Sequence, residues 1–265
     1  MTDIPASWLR PDWPAPASIR AFSTSREGGV SRAPRDSFNL SDRVGDDAHH
    51  VAINRTRLIR RLGLPREPVW LSQVHGTRVI DASDGAAGVE ADASVALKPD
   101  VVCAVLTADC LPVLFCDRAG SCVAAAHAGW RGLLAGVLEA ALDALAVPAD
   151  QVLVWFGPAI GPAAFEVGAE VRDAFVRHHA DNARAFAPSP AGRWLADIYR
   201  LAWLRLMSRG VTHIYGGGLC TYSDNARFFS YRRDRSTGRM ATLIWASRER
   251  DQRAPPRPPT SPRTR

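Results

Sequence analysis

The chain of 265 residues is 46% hydrophobic and 23% charged, which is typical of globular proteins and sufficient for one large domain. No apolar run approaches the ~18 residues that cross a bilayer, and the N-terminus lacks the apolar segment of a secretory signal, so we expect a cytoplasmic protein without a membrane partner. Residues 248–265 contribute +4 to the net charge of +6, and a body of only +2 gives no reason to expect nucleic acid.

The C-terminal residues differ in composition from the rest of the chain. They are rich in Arg and Pro and carry almost no apolar side chains, which is typical of a disordered segment. The preceding residues contain no internal repeat and no linker. We therefore predict one compact domain over 1–247 and a disordered tail over 248–265.

Periodicity predicts the secondary structure in chain order. A strand at 19–24 precedes a helix over 47–62, in which Val51, Leu58 and Leu62 recur at helical spacing before Gly63. Strands follow at 68–75, 77–81, 101–106, 111–117, 121–127, 152–156, 211–215, 226–231 and 240–245, with 77–81 as the hairpin partner or extension of 68–75. Further helices are predicted at 130–145, 168–180 and 195–209. Since regular βαβ alternation is absent, this order predicts an α+β fold, a single compact domain of mixed β-sheets with flanking helices.

The sequence has five cysteines, and an odd number favours reduced thiols over a disulfide framework. Three of them lie within strand-like apolar runs and are interpreted as core residues: Cys103, Cys116 and Cys122. Cys110 differs from these because it follows Asp109 at a predicted turn.

Three potential metal ligands lie in or at the end of apolar runs, namely His75, Cys110 and His127. Two imidazoles and a thiolate are a typical ligand set for catalytic zinc, with the fourth position left for water. The ligands are 35 and 17 residues apart, and no CxxC or HExxH motif accompanies them. A lone histidine beside an apolar run is more often structural, so the spacing alone leaves that alternative open.

Three further segments contain candidate binding residues. Small residues at 128–132 would let backbone N–H groups face an anion at a helix start, with Arg131 adding a charged contact. Phe165 lies in a Gly-Pro-rich loop, where it would stack on a flat ring. Arg232 lies in an aromatic and Arg-rich segment and would face an anionic group. A tight turn, a structural loop and a solvated basic edge are the respective alternatives.

Several segments together carry a specific resemblance to a known family. They occur in the order FSTSREGGVS (22–31), QVHG (73–76), ADA (91–93), TADCLPVLFCD (107–117), HAGWRG (127–132), GPAIGP (157–162), CTY (220–222) and FFSYRRDRSTGR (228–239). The series covers about residues 19–246 and resembles the bacterial laccase-domain proteins. These are also described as multi-copper polyphenol oxidoreductases and as purine nucleoside phosphorylases with adenosine deaminase activity.

The resemblance implies a zinc site at the positions of His75, Cys110 and His127, with copper as the other possible metal. It also implies phosphorolysis of adenosine, inosine, guanosine and methylthioadenosine, hydrolytic deamination of adenosine, and a monomer that binds purine nucleosides and phosphate. Arg55, in the Asn-Arg motif of the first long helix, is expected near phosphate or ribose. The chain departs from its relatives at Ser41 and Asp42, which puts the rim of the pocket in doubt.

In the expected mechanism, activated water attacks purine C6 in deamination, and phosphate attacks ribose C1′ in phosphorolysis. Asp109 is the candidate proton carrier. Arg55 and the helix start at 129–132 would hold the phosphate.

Three alternatives remain open from the sequence. Cys110 and His127 would also suit a nucleophile–base pair of a metal-free hydrolase that edits peptidoglycan precursors. Copper-dependent polyphenol oxidation is disfavoured because the only internal methionines, Met207 and Met240, lie outside the ligand motifs. A non-catalytic metal-binding or nucleotide-binding module is the third alternative.

Overall fold

The computed structural model describes residues 4–84 and 88–248, so the tail predicted over 248–265 lies, except for Arg248, outside the described residues. The helices are α1 (Ala48–Leu62), α2 (Trp130–Ala135), α3 (Val137–Leu145), α4 (Ala169–His178), α5 (Ile198–Ser208) and α6 (Tyr231–Asp234). The strands are β1 (Ile19–Ser23), β2 (Val79–Asp81), β3 (Ala93–Ala96), β4 (Cys103–Thr107), β5 (Leu111–Asp117), β6 (Val123–Ala128), β7 (Val152–Phe156), β8 (Glu166–Val167), β9 (Phe186–Ser189), β10 (Arg193–Ala196), β11 (His213–Gly216) and β12 (Met240–Ala246). No helix within the described ranges is both long and apolar enough to cross a membrane.

The strands form three sheets. A six-stranded sheet has the order β11-β7-β5-β6-β3-β2, a three-stranded sheet has the order β1-β12-β4, and a small sheet has the order β8-β10-β9. The pairs β11–β7 and β2–β3 are parallel, and the other pairs are antiparallel. The predicted α+β class with mixed sheets in a single compact domain is therefore confirmed.

Alternating side chains of the central strand β5 serve two different cores. Val113 and Phe115 pack with residues of α3, α4 and α5 on one face of the six-stranded sheet. Leu114 and Cys116 point to the other face and pack against residues of β1, β4 and β12. Because both faces are covered, β5 is apolar from Leu111 to Cys116, as the sequence shows.

The three-stranded sheet is likewise covered on both faces. Ile244 of β12 packs toward the six-stranded sheet, whereas its neighbours Leu243 and Trp245 pack on the opposite side with Leu58 of α1. The body thus has four layers in the order helices, six-stranded sheet, three-stranded sheet, α1. Leu111–Asp117 and Cys103–Thr107 lie in the two inner layers, and both reach the segment that joins them at 108–110.

The observed bounds of α1, Ala48–Leu62, agree closely with the helix predicted over 47–62. The Asp47 carboxylate caps the helix by accepting a hydrogen bond from His49 N at 2.8 Å. Gly63 ends it with φ of 58°, a conformation that glycine adopts without steric cost. Val51 and Leu58 are buried, as their spacing indicates.

Four element predictions are wrong. Residues 68–75 form no strand beyond a single bridge between Ser72 and Glu90, because backbone hydrogen bonds to residues 88–91 involve only Trp70 and Ser72 and side chains hold the rest of the loop. Consequently β2 pairs with β3, a short Ala-rich strand with little sequence signal. Gly136, with φ of 108°, splits the helix predicted over 130–145. Residues 226–230 form a turn and a loop, and Tyr231 begins the short helix α6, so the strand predicted over 226–231 is absent.

The region between α4 and α5 also differs from the prediction. Strands β9 and β10 lie there and form a small sheet with β8, which precedes α4; Trp194 and Leu195 of β10 pair with residues of β8. The helix predicted from 195 therefore begins only at Ile198, after Asp197 caps it through Arg200 N at 2.9 Å. These strands are two to four residues long, which is too short for periodicity to show.

The contact between the two larger sheets should carry much of the stability. Leu114 is fully buried between them, whereas Leu97 is 49% exposed. We expect Leu114→Ala to lower the free energy of unfolding by ~2–5 kcal/mol, because truncation removes apolar contacts and leaves a cavity. Leu97→Ala is the control and should change it by less than ~0.5 kcal/mol. Urea unfolding measures both, and equal effects would contradict the layered packing.

Candidate metal centre and active-site cavity

The structure brings the three predicted ligands together. One side-chain donor atom each from His75, Cys110 and His127 lies within 4.8 Å of the others. Cys110 Sγ is 3.7 Å from His75 Nε2, and the two imidazole rings meet edge to face with centroids 4.8 Å apart. Such a group of two imidazoles and one thiol could hold a metal ion.

Each ligand comes from a different kind of local structure. His127 is the penultimate residue of β6 and is only 3% exposed. Cys110 directly precedes β5 and follows Asp109, whose φ is +95°. His75 lies in the loop before β2 with φ of +62°. Positive φ is rare for residues with a side chain, and both positions lie at this site.

A buried carboxylate that the sequence analysis left without a role joins two of the ligands. Asp92 Oδ1 accepts a hydrogen bond from His127 Nδ1 at 2.8 Å and from His75 N at 2.9 Å. Asp92 Oδ2 accepts from Gly76 N at 2.6 Å and Val74 N at 3.2 Å. An acidic residue between small apolar ones, immediately before a strand, was the available sequence signal.

The side chains of the cluster also shift one another's pKa values. Burial alone would raise the pKa of the Cys110 thiol, but His127 and His75 outweigh burial and lower that pKa to about 6. Burial would lower the pKa of His127, but Cys110 and Asp92 raise it to about 9. Without a metal, Cys110 and His127 therefore favour a thiolate–imidazolium pair. The thiolate is the form of cysteine that binds metals and acts as a nucleophile.

Helix α2 approaches the cluster so closely that two of its positions require glycine. A Cβ on Gly129 would lie 2.5 Å from His75 Cδ2 and 3.1 Å from Cys110 Sγ. A Cβ on Gly132 would lie 2.8 Å from the carbonyl oxygen of Gly76. The small residues in this segment therefore serve the packing of α2 against the ligand loop. Because α2 has only six residues, its dipole contributes less to anion binding than the predicted long helix would.

The cluster forms part of the wall of a cavity of about 580 Å³. Five arginines line this cavity: Arg43, Arg55, Arg131, Arg232 and Arg239. Aromatic side chains line it as well: Trp70, Trp130, Phe165 and Tyr231. The lining carboxylates are Asp42 and Asp109, so the cavity wall is electropositive and suits an anionic or partly aromatic ligand.

Arg55 reaches the cavity from α1. Its Nε donates to the carbonyl oxygen of Leu40 at 3.0 Å, and its guanidinium lies 4.6 Å above the Trp70 ring. Its Nη2 is buried without a hydrogen-bond acceptor, with the Asp42 carboxylate 3.6 Å away as an ion-pair partner. Arg55, which lines the cavity, therefore has one N–H group that the protein leaves without an acceptor. The Asp42 carboxylate competes for the same guanidinium.

The other predicted binding residues also line the cavity. Arg131 is exposed and its guanidinium lies 4.4 Å from the Trp130 ring. Arg232 donates through Nη1 to the carbonyl oxygen of Glu166 at 2.9 Å and lies 5.6 Å from the Phe165 ring. Phe165 is only 7% exposed. Arg232 is thus held mainly by the protein, and Phe165 presents little of its ring to the cavity.

Asp109 lies beside the cluster, but its carboxylate is engaged by the protein. Oδ1 accepts a hydrogen bond from Thr221 Oγ1, and Oδ2 accepts one from Arg232 N, both at 2.6 Å. Its carbonyl oxygen also accepts from Ile160 N at 2.9 Å. Asp109 therefore joins three loops around the cavity. Its role in proton transfer stays a prediction.

Arg43, Arg239 and Trp70 are among the cavity residues that the sequence did not indicate as individual candidates. Arg43 donates to Ser72 Oγ, and Arg239 donates to the carbonyl oxygens of Thr237 and Gly238, both at 3.0 Å. Trp70 supports Arg55. Arg239 belongs to a segment that carries the family resemblance, whereas Arg43 and Trp70 have no sequence signal that separates them from other surface or core residues.

A family model described as multi-copper polyphenol oxidoreductase laccase matches residues 20–247. The chain belongs to this family. The purine nucleoside phosphorylase PA4543 of Pseudomonas aeruginosa is 60% identical over 240 residues, which span 90% of this chain and 98% of that protein. The purine nucleoside phosphorylase YfiH of Escherichia coli is 54% identical over 236 residues, which span 89% and 97% of the two chains.

Solved structures show the same fold. The Neisseria meningitidis protein NMB0706 is 49% identical, with a TM-score of 0.88 over 91% of this chain and 99% of that one. YlmD from Geobacillus stearothermophilus is 32% identical, with a TM-score of 0.85 over 91% and 96% of the two chains. The family resemblance drawn from the sequence motifs is therefore confirmed.

The close approach of Gly129 to two ligands gives a testable expectation. In Gly129→Ala, the new Cβ should displace the His75 ring and lower the affinity for Zn²⁺ by ~10-fold or more. Gly192→Ala is the control: its φ of +71° makes it strained, but nothing lies within 4 Å of the added Cβ. The control should lose ~1–2 kcal/mol of stability and keep its zinc affinity. Chelator competition and thermal unfolding, measured on both variants, separate the two effects.

Proposed function

We propose that this protein is a zinc-dependent purine nucleoside phosphorylase that acts on adenosine, inosine, guanosine and S-methyl-5′-thioadenosine and also deaminates adenosine. The observation that carries the proposal is the His75, Cys110 and His127 cluster in the wall of an arginine-lined cavity. The names of the most similar relatives support phosphorolysis as the reaction. We expect a monomer that takes small-molecule substrates.

The donor set fits zinc better than copper. Two imidazoles and one thiolate leave one coordination position toward the cavity, because His75 is exposed and Cys110 is partly exposed. A blue-copper site would need a weak axial ligand, typically Met. Met240 Sδ accepts a hydrogen bond from Phe229 N, and Met207 is exposed on α5, so neither of these described methionines serves the cluster. Zinc, when bound, supplies Lewis-acid chemistry.

In phosphorolysis, a phosphate oxygen forms a bond to ribose C1′ while the bond from C1′ to the purine nitrogen breaks. The purine leaves with the bonding electron pair and takes up a proton. Arg55 would orient the phosphate through the Nη2 group that has no acceptor in the protein. Arg131 of α2, which also lines the cavity, would add positive charge. Fixed cations beside the reacting groups lower the barrier by positioning and charge stabilisation.

In deamination, a water oxygen forms a bond to purine C6, and ammonia leaves as the C6–N6 bond breaks. The reaction needs one group that accepts a proton from water and one that donates to the leaving nitrogen. Asp109 is the carboxylate next to Cys110, so we keep it as the proposed proton carrier. Proton transfer there would require the hydrogen bonds from Thr221 and Arg232 to rearrange.

A second candidate function rests on the same side chains. Cys110, His127 and Asp92 also have the arrangement of a nucleophile, a base and a carboxylate that orients the base. A metal-free hydrolase of peptidoglycan precursors would use this arrangement. It would not require a second imidazole 3.7 Å from the thiol, and the position of His75 therefore favours the metal site.

The proposal is tested by incubating the zinc-loaded protein with adenosine and inorganic phosphate. Adenine and ribose 1-phosphate should form by phosphorolysis, and inosine should form by deamination. Alanine substitution of His75, Cys110 or His127 should abolish both zinc binding and product formation, because three ligands are the minimum of a catalytic zinc site. His49→Ala, at an exposed histidine of α1, should change neither. Chromatography of the products and metal analysis provide the readouts.

The other outcomes identify the alternatives. Hydrolysis of a peptidoglycan precursor by the metal-free protein would support the Cys-His hydrolase. Oxidation of phenols by the copper-loaded protein would support the polyphenol oxidase. Zinc binding without any product at high protein concentration would support a non-catalytic binding module.

The proposed phosphate contact gives a separate prediction. Arg55→Ala should raise the KM for phosphate by about 10-fold or more, because it removes a charge-assisted hydrogen bond. The zinc content should not change. Asp42→Asn should lower the KM for phosphate, since it removes the carboxylate that competes for Arg55.

Arg60→Ala, at an exposed arginine in the last turn of the same helix, is the matched control and should leave the KM for phosphate unchanged. Steady-state kinetics at varied phosphate concentration measures all three variants. A loss of zinc in Arg55→Ala would mean that Arg55 supports the fold of the site instead of binding phosphate.

A further inference from the structure

We propose that Asp92 is the positioning residue that prepares two of the three ligands for the metal before it binds. The inference rests on the metal site of the proposed function, and it assigns a role to a side chain that cannot itself reach the cavity. Asp92 is fully buried, and both its oxygens are used by the ligand loop and by His127.

The first contact fixes the orientation of His127. Asp92 Oδ1 lies 2.8 Å from His127 Nδ1, and this distance requires the proton of a neutral imidazole to lie on Nδ1. Nε2 then faces Cys110 and His75 and is the ring atom that would bind a metal when the imidazole is neutral. The main chain reinforces the arrangement, since His127 N donates to the carbonyl oxygen of Asp92 at 2.7 Å. Carboxylates in this position orient metal-binding histidines in many proteins.

The second set of contacts fixes the loop that carries His75. Three consecutive N–H groups, from Val74 to Gly76, point at the Asp92 carboxylate. Convergence of three N–H groups on one side chain needs a non-extended backbone, and His75 accordingly has φ of +62°. Gln73 directly precedes these three residues, and its side-chain amide forms two hydrogen bonds of 2.8 Å with the backbone of Leu106. The loop therefore holds its shape without strand pairing.

An amide cannot replace this carboxylate, although it has the same shape. Each Asp92 oxygen accepts two hydrogen bonds, whereas an asparagine offers one oxygen and one NH₂ group. With the NH₂ group facing His127, the imidazole proton would move to Nε2 and block the ligand atom. With the NH₂ group facing Gly76, the 2.6 Å contact would become a clash of two donors and displace the His75 loop. Either orientation impairs one ligand.

The chain contains a matched control for this substitution. Asp117 is also buried, at 4% exposure, and its carboxylate also clamps a turn, accepting from Ser121 N at 2.7 Å and Cys122 N at 3.1 Å. Its other oxygen accepts from the Ser121 hydroxyl at 2.7 Å, and this hydroxyl can rotate to suit an amide. Asp117 contacts no ligand of the cluster.

The test compares zinc affinity in the full-length wild-type protein, Asp92→Asn and Asp117→Asn by competition with a chelator. We expect Asp92→Asn to lose ~10- to 100-fold in zinc affinity and Asp117→Asn to keep the wild-type value. Wild-type affinity in a folded Asp92→Asn variant would overturn the inference and leave the proposed function intact. A wild-type protein that binds no zinc would overturn both.

A second measurement applies even where Asp92→Asn fails to fold. In the zinc-loaded wild-type protein labelled with ¹⁵N-histidine, His127 should show a protonated Nδ1 and an Nε2 with the shift of a metal-bound nitrogen. Coordination through Nδ1, or a proton on Nε2, would overturn the role assigned to Asp92. This spectroscopic signature would not respond to a carboxylate that merely stabilises the fold.

Discussion

The site depends on the register of two neighbouring strands. Leu111 of β5 pairs with Ala128 of β6, and Pro112 pairs with His127, so the start of one strand and the end of the other meet at one edge of the sheet. Cys110 lies one residue beyond that pairing, beside Gly129. A slip of one residue would turn His127 toward the opposite face of the sheet. The apolar cores on both faces of β5 prevent such a slip, and the interior of the protein thereby fixes two ligands.

The third ligand is placed by polar contacts instead of packing. Burying a carboxylate is costly unless hydrogen bonds replace its hydration, and Asp92 receives four of them. His75 and Asp109 both have positive φ, and each is held by several such contacts. Strained residues persist where the surroundings over-determine them. The cluster thus combines a rigid sheet edge with a loop whose shape depends on the hydrogen bonds to Asp92.

The parts of this structure that are visible in the sequence are those that repeat along it. The buried strand β5 is a continuous apolar run and the amphipathic helix α1 has a clear periodicity, while His75, Cys110 and His127 lie in the motifs that carry the family resemblance. The loop at 68–75 was mistaken for a strand because Val69, Trp70 and Leu71 are apolar, although they pack as a loop. Asp92 could not be identified because its importance lies in contacts with residues 16 to 35 positions away.

The arginines of the cavity differ in how far their guanidinium groups are already hydrogen-bonded to the protein. Besides Arg55, three of the guanidinium groups donate to the protein itself: Arg43, Arg232 and Arg239. Held in this way, these three cannot follow a ligand, and they form a fixed positive field in a partly enclosed space. Arg55 is stacked on Trp70 with one buried N–H group that lacks an acceptor. Under the proposed function, a small anion would gain most at Arg55, on the α1 side of the cavity, and the cluster of His75, Cys110 and His127 would act on the uncharged part of a substrate.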